Sequence, residues 1–272
     1  MGYDISYHPI KEAEIEEWYF GLFEDLADNC FDKVDELADK HGLEDFYRQK
    51  YKDTLRIGID TQPQEAFDKS HGYYMAVIQG FFRTYFYTRG AAFSFLINDK
   101  PHYRAYTKPW QQIQPYNWEN PIANQITENY SSGIYLPPEK LEQLLTDYHA
   151  KPAIKAELDA FFSDGRITVF LKALDYCREN GLGLLEATEV VEPNPIDLNS
   201  SACYSNLFNC DLDGPILYRD TARQQLSEME KQQQVAPGSI AQQATYVTRV
   251  TGPPQSQPRK KSFWSKLFGS KE

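Results

Sequence analysis

Tyr73-Tyr74-Met75-Ala76-Val77-Ile78-Gln79-Gly80-Phe81-Phe82-Arg83-Thr84-Tyr85-Phe86-Tyr87 is a nearly uninterrupted apolar stretch, and its reading decides the fold. A surface helix carries one apolar stripe. Here Met75, Ile78, Phe82 and Tyr85 would line one side, and Tyr74, Val77, Phe81 and Phe86 the others. Such a helix is stable only when it is covered all round. A membrane span needs about 20 successive apolar residues, and Gln79, Arg83 and Arg89 interrupt a run that is already shorter. The stretch therefore predicts a central core helix over 73–87. Gly80 within it costs a helix about 1 kcal/mol relative to Ala, which predicts that a neighbouring element comes close there.

Upstream, Tyr3, Ile5 and Tyr7 alternate with Asp4 and Ser6 at strand period, and His8-Pro9 reads as the end of that strand. Ile15, Trp18, Tyr19, Leu22 and Leu26 then recur at helical spacing, with acids mostly on the opposite side. Further helices are predicted over 32–40 and from 44 to about 55, with Ile57-Gly58-Ile59 breaking the second. Downstream, 91–97 is an apolar run whose type periodicity does not decide. Four prolines and several Trp and Tyr between 98 and 130 predict an ordered, aromatic-pinned connection. A short strand at 133–136, helices through 138–148, 152–162 and 167–177, a strand at 184–191 and a helix from 218 complete the pattern. The fold class is α+β, predominantly helical around a buried central helix, with a small sheet drawing on 3–7 and 184–191 and a disordered C-terminal tail.

The organisation predicted is one globular domain over 1–235, a disordered linker over 236–262 rich in Gln, Ser, Thr, Pro and Gly, and a short basic-aromatic motif over 263–272. Aromatics form 14% of the 272 residues, enough for a large aromatic core. The formal net charge is −11, and six basic residues against one acid follow residue 235, so 1–235 carries −16. An acidic body of this kind repels phosphate backbones and argues against nucleic-acid binding. Cys30, Cys177, Cys203 and Cys210 include no CxxC pair and read as reduced, buried thiols. The N-terminus lacks a cationic and apolar signal segment, which predicts a cytoplasmic chain. Met1-Gly2-Tyr3-Asp4-Ile5-Ser6 fits the short myristoylation pattern, which means nothing without the transferase.

Three groups of residues bear on function. Asn209 to Asp220 can be counted as a twelve-residue calcium loop, with Asn209, Asp211, Asp213 and Asp220 as oxygen ligands and Gly214 at the sharp turn. Asn at the first position, Asp rather than Glu at the twelfth and the missing helix before it weaken the pattern, and turns commonly use Asp and Gly. Arg83, Arg89 and Arg104 stand among aromatics in a segment with a single acid, Asp99, as an anion or nucleotide site requires. The competing reading pairs those cations with the chain's own carboxylates. In the tail, Phe263, Trp264, Leu267 and Phe268 would share one side of a helical turn beside Arg259-Lys260-Lys261, which suits a partner groove or weak association with a membrane surface.

The chain shows no G-x-S-x-G, H-E-x-x-H, G-x-G-x-x-G or P-loop, and its five histidines are scattered. The leading expectation is a non-enzymatic interaction factor of inhibitor, immunity or adaptor type, without a cofactor, whose acidic surface takes a basic partner protein. The alternative is an enzyme or binding protein for a phosphorylated or nucleotide-like small molecule, with calcium or another divalent cation at the 209–220 loop.

Overall fold

A computed structural model describes residues 2–114 and 119–240. In chain order the regular elements begin with β1 (Asp4–Ile10), α1 (Glu12–Trp18), α2 (Phe23–Ala27), α3 (Asp32–Lys40), α4 (Asp45–Asp60) and α5 (His71–Phe82). They continue with β2 (Phe86–Arg89), α6 (Phe93–Asp99), α7 (Trp110–Ile113), β3 (Ser132–Leu136), α8 (Pro138–Ala150), α9 (Pro152–Phe161) and α10 (Arg166–Asn180). The last are β4 (Gly183–Thr188), β5 (Val191–Glu192), β6 (Ala202–Cys203) and α11 (Asp213–Gln233). The fold is α+β and mostly helical, as the sequence predicts.

One antiparallel sheet, in the order β2-β1-β4-β3, separates two apolar cores. Alternation along the central strands sends Ile10, Leu185 and Ala187 to the core of α1–α5, and Ile5, Tyr7 and Leu184 to the core of α6, α8, α9 and α10. Every residue of β1 and β4 is buried, because helices cover both faces.

The central helix is shorter than 73–87 predicts. Every residue from His71 to Phe81 is buried, but the helix stops at Phe82 and Arg83 is extended. Tyr85-Phe86-Tyr87 belongs to the strand side: Tyr85 bridges to Cys210, and Phe86 opens β2. A continuous apolar run has no period with which to separate helix from strand. Gly80 performs its predicted role. A Cβ there would stand 2.4 Å from the Ser205 hydroxyl oxygen, which donates to the Val77 carbonyl at 2.6 Å.

Other expectations shift in the same way. The first strand continues through His8-Pro9 to Ile10. β2 ends opposite Tyr7, so Pro9 lies past its last rung and the missing N–H breaks no ladder bond there. Ile57-Gly58-Ile59 lies inside α4, and the helix expected around Ile15 to Leu26 is interrupted by a 3-10 turn at Phe20–Leu22. The undecided run 91–97 falls largely in helix α6. Of the cysteines, Cys177 and Cys210 are buried, Cys30 is exposed and Cys203 is half-buried, and none forms a disulfide. Among the described residues no helix is long and apolar enough to cross a membrane. Residues 236–240 turn back on α11, where Glu230 accepts the Gly238 and Ile240 N–H groups at 2.8 and 3.0 Å. The remainder of the 236–262 segment and the tail motif at Phe263, Trp264, Leu267 and Phe268 lie outside the described residues.

Candidate functional site

The charge of the chain is concentrated. Residues 12–45 contain thirteen Asp and Glu against two Lys, a balance of −11 that equals the formal charge of the whole sequence. These residues form α1, α2, α3 and the entry to α4, with α2 and α3 both packed on α4. Some of the acids are tied down within the chain. Glu17 meets Lys40 at 2.8 Å, Asp25 meets Lys33 at 2.6 Å, Asp35 meets Lys52 at 2.7 Å, and Asp39 pairs with Arg48.

Seven others, Glu16, Glu24, Asp28, Asp32, Glu36, Glu44 and Asp45, are exposed, and their side chains make no ion pair among the described residues. They stand outside because the opposite helix faces carry Ile15, Trp18, Leu26, Val34 and Leu37 into the core.

An aromatic border adjoins this surface. Phe46 follows Glu44 and Asp45 and is 62% exposed, with the Lys50 ammonium 5.2 Å from its ring centre. Its ring meets that of Tyr47 at 5.2 Å, and Tyr47 meets Phe81 at 6.0 Å. The Phe81 carbonyl accepts from the Asn209 amide at 3.1 Å, beside Phe208, which is 89% exposed. The two most exposed aromatics among the described residues therefore flank the same end of α5. Large exposed aromatics beside charge are the anchors from which protein interfaces are built.

The three arginines of the predicted anion site are not brought together. Arg83 forms a two-pronged pair with Glu14 at 2.6 and 3.0 Å and lies 4.8 Å from the Trp18 ring. Arg89 pairs with Asp4 at 2.5 Å, and Tyr87 donates to the same carboxylate at 2.6 Å. Lys100 and Lys108 are likewise paired, with Glu157 and Glu12. Internal pairing is thus what the structure shows for these four cations. Arg104 differs. It is exposed, makes no ion pair among the described residues, and lines a cleft of about 200 Å³ with Ser94, Thr107, Asn124 and Gln125.

The calcium-loop reading is corrected by the backbone. Asp213 to Asp220 is the start of α11, so the segment does not wrap as a twelve-residue loop. Asp211 and Asp213 hold the Lys172 ammonium, Asp220 pairs with Arg219, and Asn209 donates to the Gly80 and Phe81 carbonyls. Helix wins because the run from Ile216 onward is a better helix former than a loop, and Pro215 fits the first turn. Among the described residues no group of three or more His, Cys, Asp or Glu is arranged to hold a metal ion.

Several buried polar groups were not singled out by the sequence. Glu186 on β4 is wholly buried, and its carboxylate accepts the Ser94 N–H at 3.3 Å. Burial pushes its carboxyl up to about 7 despite those bonds. A bulge between Ser132 and Tyr135 lies across from it, and a Cβ on Gly133 would stand 2.2 Å from its oxygen. On the opposite face of the sheet, His8 meets Gln79 Oε1 at 2.7 Å and Ser6 Oγ at 2.8 Å. Gln79 Nε2 donates to the Pro9 and Thr84 carbonyls, so its oxygen must accept, and the His8 proton is therefore on Nδ1. Burial lowers His8 and His71 to about 3, and both stay neutral.

A third group joins strand ends. Glu189 accepts the Asp4 N–H at 3.2 Å and the Tyr130 N–H at 3.3 Å, and the Tyr130 hydroxyl donates to Glu192 at 3.1 Å. Tyr130 and Glu189 both lie in the left-handed backbone region, at φ 55° and 52°. Burial pushes Glu189 up to about 7 and also raises Glu192 and Asp4. Burial likewise pushes up the Cys177, Cys203 and Cys210 thiols, which leaves them protonated and poor nucleophiles.

Compared with known proteins, the chain matches no protein family, no curated protein and no solved structure.

Proposed function

We propose that the chain is a protein-interaction factor, of the inhibitor, immunity or adaptor kind, whose α1–α4 surface recognises a basic partner protein. The observation that carries this reading is the set of seven exposed carboxylates between Glu16 and Asp45 that make no ion pair among the described residues, with exposed Phe46 directly after them. Clustering that much like charge on one run of helices works against folding through self-repulsion. A cationic partner relieves the repulsion and gains electrostatic steering. Phe46 and Phe208 supply the apolar contact that sets the lifetime of the complex, while the acids mainly raise the association rate.

The test compares tagged wild type with a variant carrying Glu16→Gln, Glu24→Gln, Asp28→Asn, Asp32→Asn and Glu36→Gln, and with Phe46→Ala, in capture from the native lysate at low and moderate salt. The reading expects a basic protein that wild type retains saturably and the charge variant loses by tenfold or more. Recovery of no basic protein, or equal recovery by all three baits, overturns it.

A further inference from the structure

The cleft at Arg104 is a separate matter from the acidic surface, since its residues come from α6, the 3-10 turn after it, and the connection into β3. Its position is set by buried anchors. Tyr103 and Tyr106 bracket Arg104 on the turn Pro101–Tyr106, and their hydroxyls donate to the Ile154 carbonyl at 3.4 Å and to Asp147 at 2.6 Å. Thr107 donates back to the Arg104 carbonyl at 2.9 Å, and the Lys108 N–H donates to Tyr135 on β3. Both ends of the turn are thus held, and Arg104 stands on a fixed base.

The facing wall is also held. Asn124 lies at φ 50°, accepts the Trp110 N–H at 2.6 Å and donates to Gln111 at 2.9 Å, so its amide shapes the cleft and is not free to bind. The Ser94 hydroxyl accepts the Ile126 N–H at 3.4 Å and hydrogen-bonds the Glu186 carboxyl, so it too shapes the wall. The amide of Gln125 remains as the polar group of that wall, and Ile97, Pro109, Ala123 and Ile134 form the apolar lining.

Arg83, Arg89, Lys100 and Lys108 all have carboxylate partners, in a chain with an excess of acids. Arg104 alone of the five is left unpaired among the described residues, and it lines the cleft. A planar guanidinium with five donors matches a carboxylate in two-pronged fashion. One cation and neutral neighbours suit a single negative charge, whereas a doubly charged phosphate calls for more. The carboxyl of buried Glu186, one residue layer behind Ser94 and Ile134, adds to that preference. The volume of about 200 Å³ equals roughly six or seven waters. That is the size of a short organic acid. We infer that the Arg104 cleft is a binding site for a small organic monocarboxylate, with Arg104 gripping the carboxylate, Gln125 orienting it, and the short apolar body resting on Ile97, Ala123 and Ile134.

Butyrate is the probe, titrated into the full chain against ionic-strength-matched chloride and against inorganic phosphate, with the amide signals of Ser94 and Gln125 followed by NMR. Two variants accompany the wild type. Arg104→Gln removes the grip at an exposed position, and Ala123→Trp fills the cleft from another exposed position; unchanged thermal melting verifies that both fold. The expected result is a saturable millimolar response to butyrate in wild type, weakened tenfold or more in each variant, with phosphate binding more weakly than butyrate. Absence of a saturable response in wild type overturns the site. So does an unchanged response in Arg104→Gln. Loss in Arg104→Gln with retention in Ala123→Trp places the anion outside the cleft and overturns it too, and tighter binding of phosphate overturns the ligand class.

Discussion

Glu186→Gln gives the sharpest test of how the core is built. The carboxyl of Glu186 is wholly buried, accepts the Ser94 N–H, and has its pKa pushed by burial from an ordinary 4.5 to about 7. In the unfolded chain the group gives up its proton near 4.5, and in the folded chain only near 7. Between those values the unfolded state binds fewer protons, so stability falls as pH rises, and the loss is complete once both states are ionised. Its size is about 3 kcal/mol. Glutamine has nearly the shape of the protonated acid and does not titrate. Its amide nitrogen meets a backbone donor less well than an oxygen does, which costs on the order of 1 kcal/mol at every pH. Urea denaturation of both proteins at pH 5, 6, 7 and 8 is the assay. Glu186→Gln should be equal to or slightly less stable than wild type at pH 5 and about 2 kcal/mol more stable at pH 8. The difference isolates one group from the other titrating residues. A stability difference that stays constant within about 1 kcal/mol across this range would refute the reasoning.

Other expectations follow from single contacts. Gly80→Ala places a methyl 2.4 Å from the Ser205 hydroxyl oxygen, so it should destabilise by about 1–3 kcal/mol in denaturant titration, and adding Ser205→Gly should recover part of that loss. Gln79→Leu deprives His8 Nδ1 and the Pro9 and Thr84 carbonyls of partners and should cost about 2–5 kcal/mol, read as a shift in the denaturation midpoint. His8 and His71, lowered to about 3 by burial, should show neutral imidazole signals in NMR down to pH 5. Because the unfolded histidines take up protons below about 6.5, each of these two should remove up to about 1.4 kcal/mol of stability per pH unit as pH falls from there toward 3. A protonated signal at pH 6 would contradict their burial.

What the sequence made legible depends on whether burial was one-sided. α3 was placed to the residue because Val34, Leu37 and Ala38 face inward and Asp32, Glu36 and Asp39 do not. The same contrast put the acids opposite Ile15, Trp18, Leu22 and Leu26 on a solvated side, and the position of Gly80 in a crowded helix marked a close approach. The apolar run 73–87 lost its boundary for the opposite reason. Elements covered on all sides have no polar face, so the change from α5 to β2 left no trace in the pattern. Arg83, Arg89 and Arg104 looked alike because residue type does not reveal whether a carboxylate 69 or 85 positions away in the chain will meet it, as Glu14 meets Arg83 and Asp4 meets Arg89. The 209–220 segment fits a ligand pattern at most positions while its second half forms helix, since Asp and Gly serve turns and helix starts equally well.

The polar groups that escaped notice have a role in choosing the strand register. β1 and β4 carry apolar residues on both faces, so hydrophobicity alone gives little reason for one alignment over the next. In the observed register Tyr7 stands opposite Glu186 and His8 opposite Leu185. Glu186 therefore faces Ser94 and the bulge at Gly133, and His8 faces Gln79. A slip of one residue would turn Glu186 toward α5, where His8 is already satisfied by Gln79 and Ser6, and would leave the Ser94 N–H without its acceptor. Each such loss costs about 1–3 kcal/mol, while the apolar exchange of Leu184 for Leu185 costs almost nothing. The buried acid lowers the stability of the correct fold above pH 7, yet the register shifted by one residue would forfeit its contact with the Ser94 N–H, and in a sheet covered on both faces that polar contact distinguishes the two alignments.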